Sequence, residues 1–198
     1  MGHGPRATGH GPGLVIVAAC AHAVSTPVHG VSAIVRADVD RAETAEKARR
    51  HDVARAEYER AIIDAHDPDS IAFARHEYAD TLEHWGEYDA MIAQLEAIVA
   101  VRPDDAGAWH DLGFLYFKLR HDSARATAAL ERAKQLAPRA ARSHVELAEI
   151  YWCTGDRARA ADEYRALLAL ELPDKVRAAA RRALELLAAP TTAPPHCS

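Results

Sequence analysis

At 198 residues, with 49% hydrophobic and 27% charged side chains, the chain is long enough to bury one elongated core. Its formal net charge of −5 offers no broad basic surface of the kind that phosphate contacts need, which argues against nucleic acid as a partner. Cysteine usage leaves the redox compartment open: Cys20, Cys153 and Cys197 form no Cys-x-x-Cys pair and no zinc spacing, and a free, half-buried thiol is expected at Cys153.

Residues 1–36 stand apart from the rest. Met1 to Gly13 is rich in Gly, His and Pro and carries one positive charge, Arg6; Leu14 to Ala19 is an unbroken apolar run, and small residues follow at Ala21 and Ala23. Charge, apolar core and small residue come in the order of a secretory signal, although Gly11, Pro12 and Gly13 interrupt the segment just before its core. Val17, Ala18, Ala19 and Cys20 resemble a bacterial lipobox, a likeness that implies lipidation of Cys20 as the first residue of a mature lipoprotein. Ala21, His22 and Ala23 read instead as an ordinary cleavage site, and an apolar arm lying on the first hairpin is the third reading. The apolar run falls short of the roughly 20 residues that a membrane span requires. Arg6 stands where a myristoylation signal needs Ser or Thr. Membrane attachment is therefore expected only through Cys20, and a periplasmic or membrane-anchored location is favoured over a cytoplasmic one.

Helical periodicity takes over afterwards. Residues 37–69 read as a degenerate helical hairpin: Ala54, Tyr58 and Ala61 form a stripe on a helix from Val53 to His66, but Ala37 to Arg50 holds alanines and charges with almost no bulky core residue. Residues 70–103 are richer, with Tyr78, Ala79, Leu82 and Trp85 on a first helix, a turn at Gly86 and Tyr88, and Met91, Leu95 and Ile98 on a second that ends before Pro103. In residues 104–138 the spacing i, i+3, i+7 puts Trp109, Leu112 and Tyr116 on one stripe, with Gly113 beside them leaving room for another backbone. Ala126, Leu130 and Ala133 form the stripe of the second helix, which Pro138 terminates, and the turn between the two helices carries one extra residue and no glycine. Residues 139–172 repeat the register with His144 in the place of Trp109, then Leu147, Ala148, Tyr151, Gly155, Ala160, Tyr164 and Leu167. Asp174 is expected to cap a last helix to about Ala188 within residues 173–189, its basic run forming a solvated face. Residues 190–198, with three prolines and no apolar run, read as a disordered tail.

Trp109, Leu112, Gly113, Tyr116, Ala126, Leu130, Ala133 and Pro138 resemble the tetratricopeptide pattern, and three units in tandem over residues 70–172 repeat it. The resemblance implies an all-α fold, a right-handed solenoid of helical hairpins closed by a C-terminal capping helix, and a concave groove lined by the first helix of each unit that holds a segment of another protein. On that likeness the groove residues are His76, Asp80, Glu83 and His84 in the first firm unit, His110, Asp111, Phe114 and Phe117 in the second, and Glu146, Glu149 and Trp152 in the third. Phe114, Phe117 and Trp152 would give an apolar floor within an acidic wall, suited to a partner segment with basic and hydrophobic residues. The bland alternative packs these aromatics between units, Phe114 before Phe117 and Trp152, while Trp109 is expected in the core. The carboxylate-clamping mode of such domains uses Lys and Asn; the chain has no Asn, and Asp80 and Glu149 at the matching places would repel a carboxylate.

No catalytic constellation emerges. The helix from His76 to Asp80 is one residue short of a His-Glu-x-x-His zinc helix, because Asp80 replaces the second histidine. His76, Asp80 and His84 recur on one face with His110 nearby, but the outer two histidines are about 12 Å apart along a helix axis, too far to share one ion. Gly9, Gly11 and Gly13 precede the apolar run, the wrong order for a dinucleotide fingerprint. The reading is a scaffold with no cofactor and no metal, of the cell envelope in assembly or secretion, with a cytoplasmic adaptor or chaperone-like module as its rival and a metal-binding protein or hydrolase using the groove histidines as a distant third.

Overall fold

The computed structural model describes residues 30–189 and Cys197. Cys20, the signal-like segment and most of the tail expected to be disordered lie outside the described residues. Nine helices follow one another among the described residues: α1 (Ala33–Lys47), α2 (His51–Asp64), α3 (Pro68–Trp85), α4 (Tyr88–Val101), α5 (Ala106–Lys118), α6 (Ser123–Leu136), α7 (Ala141–Cys153), α8 (Arg157–Leu168) and α9 (Asp174–Ala188). Aspartates start many of them: Asp67, Asp105, Asp122 and Asp156 each accept from the backbone N–H three residues on, satisfying a donor that a helix start leaves open.

Helices pair as hairpins, α1 with α2, α3 with α4, α5 with α6 and α7 with α8, and α9 closes the stack against α8. Each hairpin turn contains one residue in the left-handed region: Arg49 (φ 57°), Gly86 (φ 73°), His121 (φ 51°) and Gly155 (φ 84°). Glycine meets that geometry without strain in two of them. In the middle unit the extra turn residue lets His121 take the same conformation, after which the apolar register resumes at Ala126.

Both helices of each hairpin supply the core, and on the second helices the pattern repeats. Ala54, Tyr58 and Ala61, then Met91, Leu95 and Ile98, then Ala126, Leu130 and Ala133, and finally Ala160, Tyr164 and Leu167 are all buried at equivalent places. Gly113 sits where the two helices of its hairpin come closest: a Cβ there would lie 2.5 Å from Leu130 Cγ and 3.1 Å from the Ala126 carbonyl oxygen. Hydrogen bonds between units also repeat with the period of the chain. Trp109 Nε1 donates to the Pro103 carbonyl and His144 Nε2 to the Pro138 carbonyl, both at 3.1 Å. Tyr116 donates to Glu96 at 2.6 Å, and Tyr151 to Glu131 at 2.8 Å.

Three expectations need correction. The first hairpin starts at Ala33 rather than at Ala37, with the Ser32 hydroxyl accepting from the Ile34 N–H, so Val35, from before Ala37, adds buried bulk to the Val39 of the segment from Ala37. Asp174 is not a cap: α9 begins with it, Pro173 holds the cap position without a side-chain bond, and the Asp174 charge lies in the first turn, where a helix dipole favours it. Cys153 is not a free thiol, since it is bonded to Cys197 across 44 residues of chain.

Candidate functional site

One wall of the stack is built from the first helices of successive hairpins, α1, α3, α5 and α7. Side chains reach across it from each to the next. The Arg36 guanidinium of α1 lies 5.4 Å from the ring centre of Phe73 on α3. His76 of α3 donates from Nε2 to Asp105, the residue that caps α5, at 2.9 Å. Arg142 of α7 approaches Asp111 of α5 at 3.9 Å, and Lys118 of α5 pairs with Glu149 of α7 at 2.7 Å. Periodicity explains why these positions share a wall: Phe73, His76, Asp80 and His84 on α3, or Glu146, Glu149 and Trp152 on α7, recur at three- and four-residue steps.

Carboxylates dominate the wall. Burial, then the neighbouring Asp80 and Glu43, push the Glu77 carboxyl above its ordinary range. Burial disfavours the charged form of His76, but the hydrogen bond and charge of Asp105, helped by Asp80 and Asp111, outweigh it and leave His76 raised. Glu146 is lifted to about 7, first by burial and next by Glu149, with Lys118 offsetting part of the rise. Asp80, Glu83 and His84 are exposed, Asp111 and Glu149 half-buried. His110 is 9% exposed, its Nδ1 bonded to Asp111 at 2.9 Å.

The aromatic residues fall out differently from the expected order. Phe114 is the open one, at 39% exposure, whereas Phe117 and Trp152 are buried at 7% and 3%. Trp152 packs edge-on against Tyr164 of α8, with ring centres 6.4 Å apart, so it supports the hairpin rather than flooring an open groove. Trp109, expected as core, is only partly buried. Neighbouring positions around one helix differ by about 100°, so a single-helix pattern places a ring on the correct half of the helix without deciding whether the next hairpin covers it.

Two further features were not legible. Glu163, buried on α8, holds His144 through Nδ1 at 2.7 Å and Lys134 through its other oxygen at 2.7 Å. Because Nε2 of His144 donates to the Pro138 carbonyl, both ring nitrogens face acceptors, an arrangement that favours the imidazolium; His144 is raised, first by the Glu163 bond and against the opposing effect of burial. The second is Cys197, whose sulfur reaches the end of α7 beside Phe117, His121, Ser123 and Thr154. Among the described residues no group of three His, Cys, Asp or Glu side chains is placed to hold a metal ion, and His76, Asp80 and His84 do not form one. No helix among them is long and apolar enough to cross a membrane.

No protein-family model matches the chain, and no curated protein does. Solved structures do resemble it. The MamA protein aligns with a TM-score of 0.65 at 18% identity, covering 78% of this chain and 80% of that one. BtubC (BKLC) from P. vanneervenii aligns at 0.58 and 15% identity over 78% and 81%. A thermophilic TPR protein of Thermus thermophilus, TTC0263, aligns at 0.50 and 22% over 75% and 80%. At these identities the likeness establishes the fold, an all-α tetratricopeptide solenoid.

Proposed function

We propose that the chain is a non-catalytic scaffold that holds a segment of another protein along the wall of α1, α3, α5 and α7. The observation that carries this reading is the pairing of acidic side chains with one open aromatic: Asp80 and Glu83 are exposed on α3, Asp111 and Glu149 half-buried on α5 and α7, and Phe114 of α5 is 39% exposed. Such a wall suits a segment bearing Lys or Arg together with apolar residues, the charges steering the encounter and the ring supplying an anchor. Phe114→Ala removes an exposed ring, so it is expected to weaken partner capture in a crosslinking pull-down while the melting temperature stays within a few degrees of wild type. Equal capture by wild type and variant would overturn the reading.

A cell-envelope setting, in assembly or secretion, is favoured over a cytoplasmic adaptor by the Cys153–Cys197 bond. Disulfides persist in oxidising compartments and are rare where glutathione keeps thiols reduced. The lipobox-like Val17 to Cys20 points the same way. Membrane fractionation with mass spectrometry of the mature N-terminus separates these settings: a lipidated Cys20 supports the envelope version, and an intact Met1 in the soluble fraction supports the adaptor.

A further inference from the structure

The Cys153–Cys197 bond is unevenly placed: Cys153 is half-buried at the end of α7, whereas Cys197 is exposed. Both line a cavity of about 190 Å³ together with Phe117, His121, Ser123 and Thr154, which leaves the Cys197 side as the approach open to a second thiol. A disulfide sealed in a core resists exchange because no thiolate reaches it, while an exposed one is the labile kind. The last helix does not depend on this bond for its place. Ala180, Ala183 and Leu187 of α9 are buried, and Arg157 of α8 donates to the carbonyls of Leu186, Leu187 and Ala189 at 3.2, 2.5 and 2.7 Å. Opening the bond therefore frees Cys197 without dislodging α9.

Of the residues around the cavity, Cys197 alone comes from beyond α9. Once detached, it leaves Phe117, 7% exposed while the bond is closed, beside the space it vacates. Phe117 stands three residues after the open Phe114, and so on the same side of α5. We infer that the Cys153–Cys197 bond is a thiol–disulfide exchange site, opened by a dithiol protein, whose opening adds Phe117 to Phe114 on the partner wall. This rests on the reading of the wall as the partner surface and gives that surface a control. One thiolate of the dithiol attacks Cys197 Sγ; the bond to Cys153 breaks, and Cys153 leaves with the electron pair as a thiolate that takes a proton from water. The second thiolate of the dithiol then attacks the mixed disulfide, closing its own disulfide and returning Cys197 as a thiol. The dithiol is oxidised and the Cys153–Cys197 pair reduced. In an oxidising compartment the closed form is the resting state, so the wall presents one ring until such a dithiol arrives.

The test uses the full chain with Cys20→Ser, so that Cys153 and Cys197 are the remaining cysteines. Dithiothreitol stands in for the dithiol protein, and glutathione traps the mixed disulfide. Peptide mapping should find glutathione on Cys197 before Cys153, and dithiothreitol should open the bond while the helical circular dichroism signal is kept. In calorimetry with a blocked peptide of alternating lysine and leucine, the reduced chain should bind about fivefold or more tightly than the oxidised one. Cys197→Ser should match the reduced chain, and Phe117→Leu, which keeps apolar bulk, should lose most of the gain. A bond that stays closed under excess dithiothreitol, glutathione appearing first on Cys153, or helices that melt on reduction would overturn the exchange site. Equal affinity of the two forms, or an undiminished gain in Phe117→Leu, overturns the control by Phe117. The wall reading survives any of these as long as the lysine peptide is preferred to a glutamine–leucine peptide. If neither form shows that preference, the wall reading falls and the control with it.

Discussion

The α5–α6 hairpin, the middle of the three units over residues 70–172, and the α7–α8 hairpin, the third of them, share one register, yet their rings trade roles. In the middle unit Trp109 is only partly buried and spends its indole N–H on the Pro103 carbonyl. In the third unit His144 makes the same bond to Pro138 from a buried position, and Trp152, further along α7, fills space against Tyr164. The repeat therefore preserves a ring N–H bond to the preceding proline carbonyl, while the bulk that closes the hairpin moves to wherever the neighbouring side chains leave room. Bonding pattern, rather than residue size, is the quantity held constant between the two.

The sharpest way to break that comparison is Trp152→Ala, which should cost about 3–5 kcal/mol in urea unfolding, as large aromatic truncations in cores do. A loss under about 1 kcal/mol, typical of a surface position, would return Trp152 to the open wall. His144→Ala comes next, at about 2–4 kcal/mol, because it leaves Glu163 buried with Lys134 alone. That loss should depend on pH. His144 is raised in the folded protein, so its contribution is fully present below its unfolded value near 6.5 and fades as pH rises through the folded value. Glu163 has the opposite sign: burial pushes it up, but the bonds from His144 and Lys134 prevail and lower it, so its contribution is present above its ordinary range and lost on strong acidification. Melting wild type and variant across pH should find their gap widest in mildly acidic solution and narrower in alkali; a gap independent of pH would deny His144 its charge. Trp109→Ala is expected to be the mildest, about 1–2 kcal/mol, from one hydrogen bond and partial burial. If it exceeds Trp152→Ala, the two rings have not exchanged roles.

Most of the fold was legible because helical periodicity and chain terminators act locally. Ala126, Leu130 and Ala133 ahead of Pro138 declare a helix and its inward face without reference to anything distant. Gly113 was legible for the same reason, since the small residue falls beside Leu112 where α6 crosses. Boundaries were harder: Ser32 caps a helix that begins inside a segment whose composition still resembles an arm. The wall was legible in charge but not in depth. Asp80, Glu83 and Phe114 are open, whereas Phe117, Glu146 and Trp152 are covered, and the covering comes from other helices, which no single-helix pattern contains. The Glu163 pairing with His144 and Lys134, and the partner of Cys153, depend on how separate segments meet in space, so residue spacing alone gave no sign of them.

Solenoids ordinarily fray from both ends, since each unit leans only on its neighbours. The Cys153–Cys197 bond makes a covalent ring of the chain that contains α8 and α9. One end of the stack is thereby sewn shut, and peeling is left to the opposite end, where α1 and α2 leave Ile34 and Ile63 in solvent.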